Sequence, residues 1–257
     1  MSGLFAGKAA LTTGASSGIG RATALRLAQE GAELALVGRD REALQSTAAA
    51  AAQQGARATV IVADLAAPGD CRRAVEEAVA AAGRLDVLVN AAGIIAGGSL
   101  ATTTAQEWAE MMRINLDSAF LLMQAALPHL RESRGNIVNV SSVTGLRAFP
   151  GVLAYCVSKA GMDQLTRCAA LELAADGVRV NAVNPGVVRS NLHRRGGMEE
   201  GAYKAFLEHS ETTHPLGRVG EPADIAEAIV YLASSRAGWV TGVTLSLDGG
   251  RHLTCAR

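Results

Sequence analysis

Tyr155 and Lys159, in the stretch Tyr155-Cys156-Val157-Ser158-Lys159, are types that could move a proton. On a helix, residues four apart share a face. A phenol is a weak acid, with an ordinary pKa of roughly 10. An ammonium group beside it favours the phenolate and makes proton transfer near neutral pH accessible. The pair therefore reads as an acid–base device. Ordinary helices carry the same spacing, so its meaning depends on what the chain builds around it.

A second chemical feature lies near the N-terminus. An apolar segment, Lys8–Thr13, runs into Gly14-Ala15-Ser16-Ser17-Gly18-Ile19-Gly20, and an amphipathic run follows. Strand, glycine turn and helix in that order suit phosphate: glycine lets the backbone approach, and the helix N-terminus offers free N–H groups and a favourable dipole. The spacing is GxxxGxG rather than the commoner GxGxxG.

The elements that must position these groups alternate regularly. Apolar runs predict strands at Lys8–Thr13, Glu33–Gly38, Ala58–Ala63, Val87–Asn90, Asn136–Ser141, Val178–Val183 and Val243–Asp248. Helical patterns fall between them: Arg21–Glu30, Asp40–Gln54 with Asp40 as N-cap, and Pro68 to Gly83. Thr104 and Glu107 form a capping box for a long helix through Asn115 to Leu127, which Pro128 interrupts or kinks. The Tyr155 helix runs from Leu153 to Asp176, and a last helix starts at Pro222. Residues 187–219 form a weakly periodic insert. This alternation predicts a single α/β domain: a doubly wound, mostly parallel seven-stranded sheet with helices on both faces. Ligands of such sheets bind at the carboxyl ends of the strands. Gly14, Asp64, Asn90, Ser142 and Pro185 all follow strands and should line one rim.

Bulk composition narrows the class. The chain has 257 residues with 24 basic and 24 acidic side chains, so neither nucleic acid nor a membrane surface is favoured as a partner. Hydrophobic content is 49% but aromatics only 4%, as expected for Ala-, Val- and Leu-rich strands under close-packed helices. Cys71, Cys156, Cys168 and Cys255 form no CxxC and read as reduced thiols of a cytoplasmic protein. The first residues carry no leader pattern, and no apolar run reaches membrane-spanning length. His129, His193, His209, His214 and His252 show no metal-binding spacing, which predicts solvated surface histidines and no metal. Cys156, a sequence neighbour of Tyr155, points elsewhere on a helix and reads as packed.

Taken in order, Thr13-Gly14-(x3)-Gly18-Ile19-Gly20, Asn90-Ala91-Ala92-Gly93, Asn115, Ser142, Tyr155-(x3)-Lys159, Asn184-Pro185-Gly186 and Gly242-(x5)-Asp248-Gly249-Gly250 resemble the short-chain dehydrogenase/reductase family, a Rossmann fold, and within it the 3-oxoacyl-[acyl-carrier-protein] reductase-like members. The likeness spans essentially the whole chain. It implies hydride transfer between a nicotinamide cofactor and a carbonyl/alcohol pair, free or bound to a carrier. Tyr155 would be general acid in reduction and general base in oxidation. Lys159 would lower the Tyr155 pKa and bond the nicotinamide ribose. Ser142 would hold the substrate oxygen, and Asn115 would position a relay water.

The same resemblance assigns Gly14, Ser16, Ser17, Gly18 and Ile19 to the pyrophosphate turn. It assigns Asp64 and Leu65 to the adenine, Asn90, Ala91 and Gly93 to the strand end near the ribose, and Pro185, Gly186, Val188 and Ser190 to the nicotinamide end. Gly38 stands where a carboxylate would repel a 2′-phosphate, and Arg39 follows; a guanidinium can take a phosphate bidentately. NADP(H) is therefore the expected cofactor and NAD(H) the alternative. An NAD-dependent alcohol dehydrogenase and a catalytically silent NAD(P)-binding sensor or scaffold are the competing functions. Residues 187–219 would be a substrate lid hinged at Gly196 and Gly197. Arg194 and Arg195 read as solvated lid residues, with contact to an anionic substrate as the alternative. A homotetramer or homodimer is implied, with Ala154, Ser158 and Gly161 suited either to a helix interface or to packing within the chain.

Overall fold

The computed structural model describes residues 3–254, so Cys255 lies outside them. The strands are β1 (Ala9–Thr13), β2 (Glu33–Gly38), β3 (Ala58–Val62), β4 (Val87–Asn90), β5 (Asn136–Val140), β6 (Arg179–Pro185) and β7 (Thr244–Leu247). They form one sheet in the order β3-β2-β1-β4-β5-β6-β7. Every pairing is parallel, as in Leu11 opposite Ala35 on one side and Leu88 on the other. Central strands bury both faces, which explains their continuous apolar runs: Leu11, Leu36, Val37, Leu88, Val89, Ile137 and Val138 are all inaccessible.

The helices divide between the two faces. On one lie α1 (Gly18–Gln29), α2 (Arg41–Ala52) and, late in the chain, α10 (Pro222–Ala233); their core joins Leu27, Leu44 and Ile229 to Leu36 and Val89. On the other lie α3 (Pro68–Ala82), α5 (Ser118–Ser133) and α7 (Leu153–Leu173), whose core joins Cys71, Leu122 and Leu173 to Leu11, Leu88 and Ile137. Burying each such side chain contributes about 1.5–3 kcal/mol. Local signals set the ends. Asp40 accepts the Ala43 N–H (3.0 Å). The Thr104–Glu107 box caps α4 (Ala105–Met112).

The long helix expected from Thr104 to Leu127 is interrupted earlier than Pro128. After α4 a wide π-helical turn, Arg113–Asp117, carries Asn115 into the interior, and α5 continues past Pro128 to Ser133. A proline removes only one rung of the ladder, and buried Ala126 and Leu130 hold that turn against the sheet. Ala154 and Ser158 are buried within the chain, and Gly161 packs against Leu116; the small residues of α7 serve the contact with the π turn. The short α6 (Val143–Leu146) follows β5. Residues 187–219 contain α8 (Leu192–Arg195) and α9 (Glu200–Thr213). Among the described residues no helix is long and apolar enough to cross a membrane.

Candidate functional site

Strand order reverses between β1 and β4, and the chain fixes that junction by side chains. The Thr13 hydroxyl accepts the N–H groups of Ala91 (2.9 Å) and Ala92 (3.0 Å), so the turn after β4 lies against the glycine turn after β1. Gly14 has φ +64°, and a Cβ there would stand 2.9 Å from the Ala91 carbonyl oxygen; only glycine fits. Above this junction opens a cleft of about 800 Å³ along the carboxyl ends of the strands.

At one end of the cleft lie Gly14, Ser16, Ser17, Gly18 and Ile19, then Gly38, Arg39, Asp64 and Leu65. Ser17 is the N-cap of α1, yet its side chain makes no capping bond. The first N–H groups of α1 are thus left for another acceptor, and the glycine cradle keeps Cβ atoms out of its path. This is a fit to a dinucleotide phosphate. One Asp64 oxygen caps the next turn through the Ala66 N–H (3.1 Å).

Beyond Ala91, which abuts Gly14, and Ser190, which lies beside Gly18, the cleft is lined by Gly93, Ser142, Tyr155, Lys159, Pro185, Gly186 and Val188. Tyr155 and Lys159 share a face of α7 and are both buried. Ser142, N-cap of α6, accepts the Thr144 N–H (3.1 Å) and lies close enough to the Tyr155 side chain to favour its phenolate. Lys159 Nζ donates to the Val140 carbonyl (2.8 Å) and lies 5.7 Å from the Tyr155 ring centre. The expected lowering of the phenol pKa is not what this geometry gives. Burial pushes Tyr155 up to about 12, against an opposing effect of Ser142. Burial likewise brings Lys159 down to about 8, with Asp163 opposing. Desolvation dominates because the phenol is out of water, and the Lys159 ammonium is turned to the Val140 carbonyl. The phenol is therefore a protonated donor at neutral pH.

Two predicted residues lie behind the cleft wall rather than on it. Asn90 is buried, and its Nδ2 donates to Asn139 Oδ1 (2.9 Å), which ties β4 to β5. Asn115 holds Ile94 from both sides: Nδ2 donates to its carbonyl (3.0 Å) and Oδ1 accepts its N–H (2.8 Å). It reaches the site from the back, since a Cβ on Gly93 would stand 3.2 Å from Asn115 Oδ1 and 3.7 Å from Lys159 Nζ.

Sequence reading assigned no role to Asp163 or to the Asn184 side chain. Asn184 Nδ2 donates to the Ser142 carbonyl (2.9 Å) and to Asp163 Oδ2 (2.8 Å). Asp163, one turn beyond Lys159, also bonds Ser141, and burial raises its pKa. These two side chains lock β6 and α7 to the loop that carries Ser142. The available signal was a carboxylate four residues past Lys159 on the same helix face.

The histidines need correction. His214, expected on the surface, is 3% exposed. Its Nδ1–H donates to the Ser210 carbonyl (2.6 Å), and its Nε2 accepts the Val187 N–H (3.1 Å). It thereby supports the Pro185–Val188 loop. Gly186 must be glycine because a Cβ would meet His214 Nε2 at 2.7 Å. His193 is half-buried in the cleft wall, its ring 4.6 Å from that of Phe206. Among the described residues no group of three or more His, Cys, Asp or Glu is placed to hold a metal ion.

Burial lowers the pKa of His214. The unfolded chain takes up a proton near pH 6.5 while the folded chain resists it, so this contribution to stability is full above roughly 6.5 and lost as pH falls below it. Thermal unfolding followed from neutral to mildly acid pH should show a decline in Tm that His214→Gln reduces. An equal decline in the variant would remove His214 as its source.

In the insert, Arg194 is paired bidentately with Glu200 (2.6 and 2.8 Å) and stacked on Tyr203, so it faces away from substrate chemistry. Tyr203 Oη donates to the Ser190 carbonyl (2.9 Å), which pins α9 to the end of the Pro185–Ser190 segment. A Cβ on Gly196 would meet the Ile95 carbonyl oxygen at 2.5 Å; this glycine is there for close packing.

A family model described as enoyl-(acyl carrier protein) reductase matches residues 14–252. A 3-oxoacyl-[acyl-carrier-protein] reductase from Staphylococcus aureus is 38% identical over 96% of this chain and 98% of its own length. A 2,5-dichloro-2,5-cyclohexadiene-1,4-diol dehydrogenase from Sphingobium indicum is 35% identical over 97% and 98%. Among solved structures, carveol dehydrogenase from Mycobacterium avium in complex with NAD superposes with a TM-score of 0.92, at 31% identity, over 98% of this chain and all of that one. With its all-parallel sheet and its Ser142–Tyr155–Lys159 cluster at the strand ends, the chain belongs to the short-chain dehydrogenase/reductase family and is an NAD(P)-dependent oxidoreductase.

Proposed function

We propose that the chain is an NADP(H)-dependent oxidoreductase interconverting a ketone, 3-oxo groups included, and a secondary alcohol. The observation that carries this reading is the buried Tyr155 beside Ser142 and Lys159 in a cleft that also holds a glycine turn at an open helix N-terminus. A nicotinamide cofactor, when bound, supplies or accepts the hydride. Ser142 orients the carbonyl oxygen and stabilises the charge that develops on it. Tyr155, protonated at neutral pH, gives that oxygen its proton in reduction and takes one back in oxidation. Lys159 lies beside it as a buried cation, 5.7 Å from the ring centre. Asn115 stabilises the loop at Gly93–Ile94 from behind. Asp64, Leu65, Ala91 and Gly93 would wall the adenosine, and Pro185, Gly186, Val188 and Ser190 the nicotinamide.

Residues 187–219 serve as the substrate lid in this reading. A homotetramer or homodimer is supported by exposed apolar side chains distant from the cleft, with Trp239 fully exposed and Leu171 83% exposed. Cys71, Cys156 and Cys168 are free thiols, which suits a reducing cytoplasm.

NADP(H) preference rests on Arg39 lining the cleft beside Gly38. An NAD-dependent alcohol dehydrogenase is the second reading, because Ser17 stands where another basic residue would strengthen a 2′-phosphate site. The deciding experiment is a panel of ketones, 3-oxoacyl thioesters and secondary alcohols with NADPH and NADH in parallel. NADPH should be used more efficiently, and Arg39→Ala should raise its KM by roughly tenfold while sparing NADH. Equal efficiency with both cofactors sinks the preference. No cofactor oxidation with any carbonyl sinks the function.

A further inference from the structure

We propose that the substrate carries a carboxylate, held by the Arg251 guanidinium at the substrate end of the cleft. The proposal deepens the oxidoreductase reading and rests on it for the reacting carbonyl.

Arg251 comes from the segment after β7, at the opposite edge of the sheet from Asp64. Asp64 is the single carboxylate among the described residues that line the cleft; Asp248 acts on Arg251 electrostatically, but its oxygens bond Gly250 and His252 rather than the guanidinium. The segment that carries Arg251 is held in place at both ends. Asp248 accepts the N–H groups of Gly250 (3.1 Å) and His252 (2.7 Å) and pairs with His252 Nδ1 (2.9 Å). From the other side Arg147 Nη1 donates to the carbonyls of Arg251 (3.1 Å), His252 (3.3 Å) and Thr254. The guanidinium itself lies 5.1 Å from the Phe149 ring centre, across the wall of the cleft. Its Nε and Nη1 are buried and have no hydrogen-bond partner. A buried donor of a charged group left unmatched is unfavourable, and the planar fork of Arg suits a carboxylate.

A second unpartnered donor or acceptor lines the same cleft. His193 Nδ1, in the same cleft, is also buried without a partner. Arg195 lines the cleft too and adds positive potential at its rim. The lining of the cleft also includes the apolar Ile94, Ile95, Phe149, Val152 and Phe206. The combination fits an aliphatic or alicyclic carbonyl compound with an anionic carboxylate end.

The test uses the full chain with NADPH, straight-chain oxo-carboxylates of increasing length, and their methyl esters. At the fitting length kcat/KM for the acid should exceed that for the ester by about tenfold or more. Arg251→Gln should bring the acid-to-ester ratio close to one, and Arg251→Lys should restore part of it. Calorimetric titration of saturated straight-chain carboxylates and their methyl esters into the NADP-loaded protein reads the same subsite without turnover. Carboxylate binding that depends on Arg251, with no carbonyl reduced, leaves the subsite standing and removes the oxidoreductase reading. Esters that match acids in both assays overturn the proposal, and so does an Arg251→Gln effect confined to the KM for NADPH. If the variants fail to fold, the acid–ester comparison in the wild-type chain decides alone.

Discussion

Tyr155→Phe will lower kcat for ketone reduction by about 10³-fold while cofactor binding survives. The substitution deletes one hydroxyl and keeps the ring. That ring packs against Met111, Ala154, Ile94 and Val152, so the wall of the cleft stays intact. What disappears is the hydroxyl beside Ser142 that would give the substrate oxygen its proton. Ser142 alone can orient that oxygen but cannot supply a proton at a comparable rate. Steady-state kinetics beside a fluorescence titration of NADPH separate the two roles. Turnover near the wild-type level would show that another group transfers the proton.

Lys159→Met will abolish most turnover and stabilise the fold. The sign follows from its lowered pKa of about 8. As pH falls from the ordinary lysine value of roughly 10.4 towards 8, the unfolded chain gains a proton that the folded chain does not, so stability drops across that window and stays low beneath it. Holding the buried ammonium therefore costs on the order of 3 kcal/mol at neutral pH. Methionine gives up the charge-assisted bond to the Val140 carbonyl, worth about 1.5–3 kcal/mol, and keeps most of the apolar stem. Denaturant unfolding at neutral pH should show a net gain of up to about 1.5 kcal/mol that shrinks as pH rises above 8. A variant less stable than wild type at neutral pH would contradict the assigned burial of the charge. Stability is given up here for a cation next to Tyr155, as expected of a functional site.

Much of this was legible in the chain because its signals are local. Parallel strands buried on both faces write themselves as apolar runs, and the turns after β1, β4 and β6 carry glycines where backbone must approach backbone. The rim was legible too, because strand ends follow from strand positions. The rest depends on tertiary contacts. The π turn at Arg113–Asp117 leaves no mark in hydrophobic periodicity, and it is what buries Asn115. Asn90 looked like a cleft residue because it ends a strand, but its side chain points to the neighbouring strand, a choice made by Asn139. His214 looked solvated because polar residues surround it in sequence, while its burial comes from the Pro185–Val188 loop and Asp248 folding over it. Spacing placed Lys159 beside Tyr155 correctly but misjudged the sign of the phenol shift, since spacing carries no information about desolvation.

The central claim is that this cleft reduces a carbonyl carbon, with Tyr155 protonating the oxygen. Its most direct test is mass spectrometry of the alcohol produced from a turned-over ketone with NADPH deuterated at the nicotinamide C4 position that donates. The account predicts deuterium on the carbinol carbon in the wild-type product and almost no labelled product from Tyr155→Phe. Label appearing elsewhere in the product, or an equal yield of labelled alcohol from the variant, would contradict it.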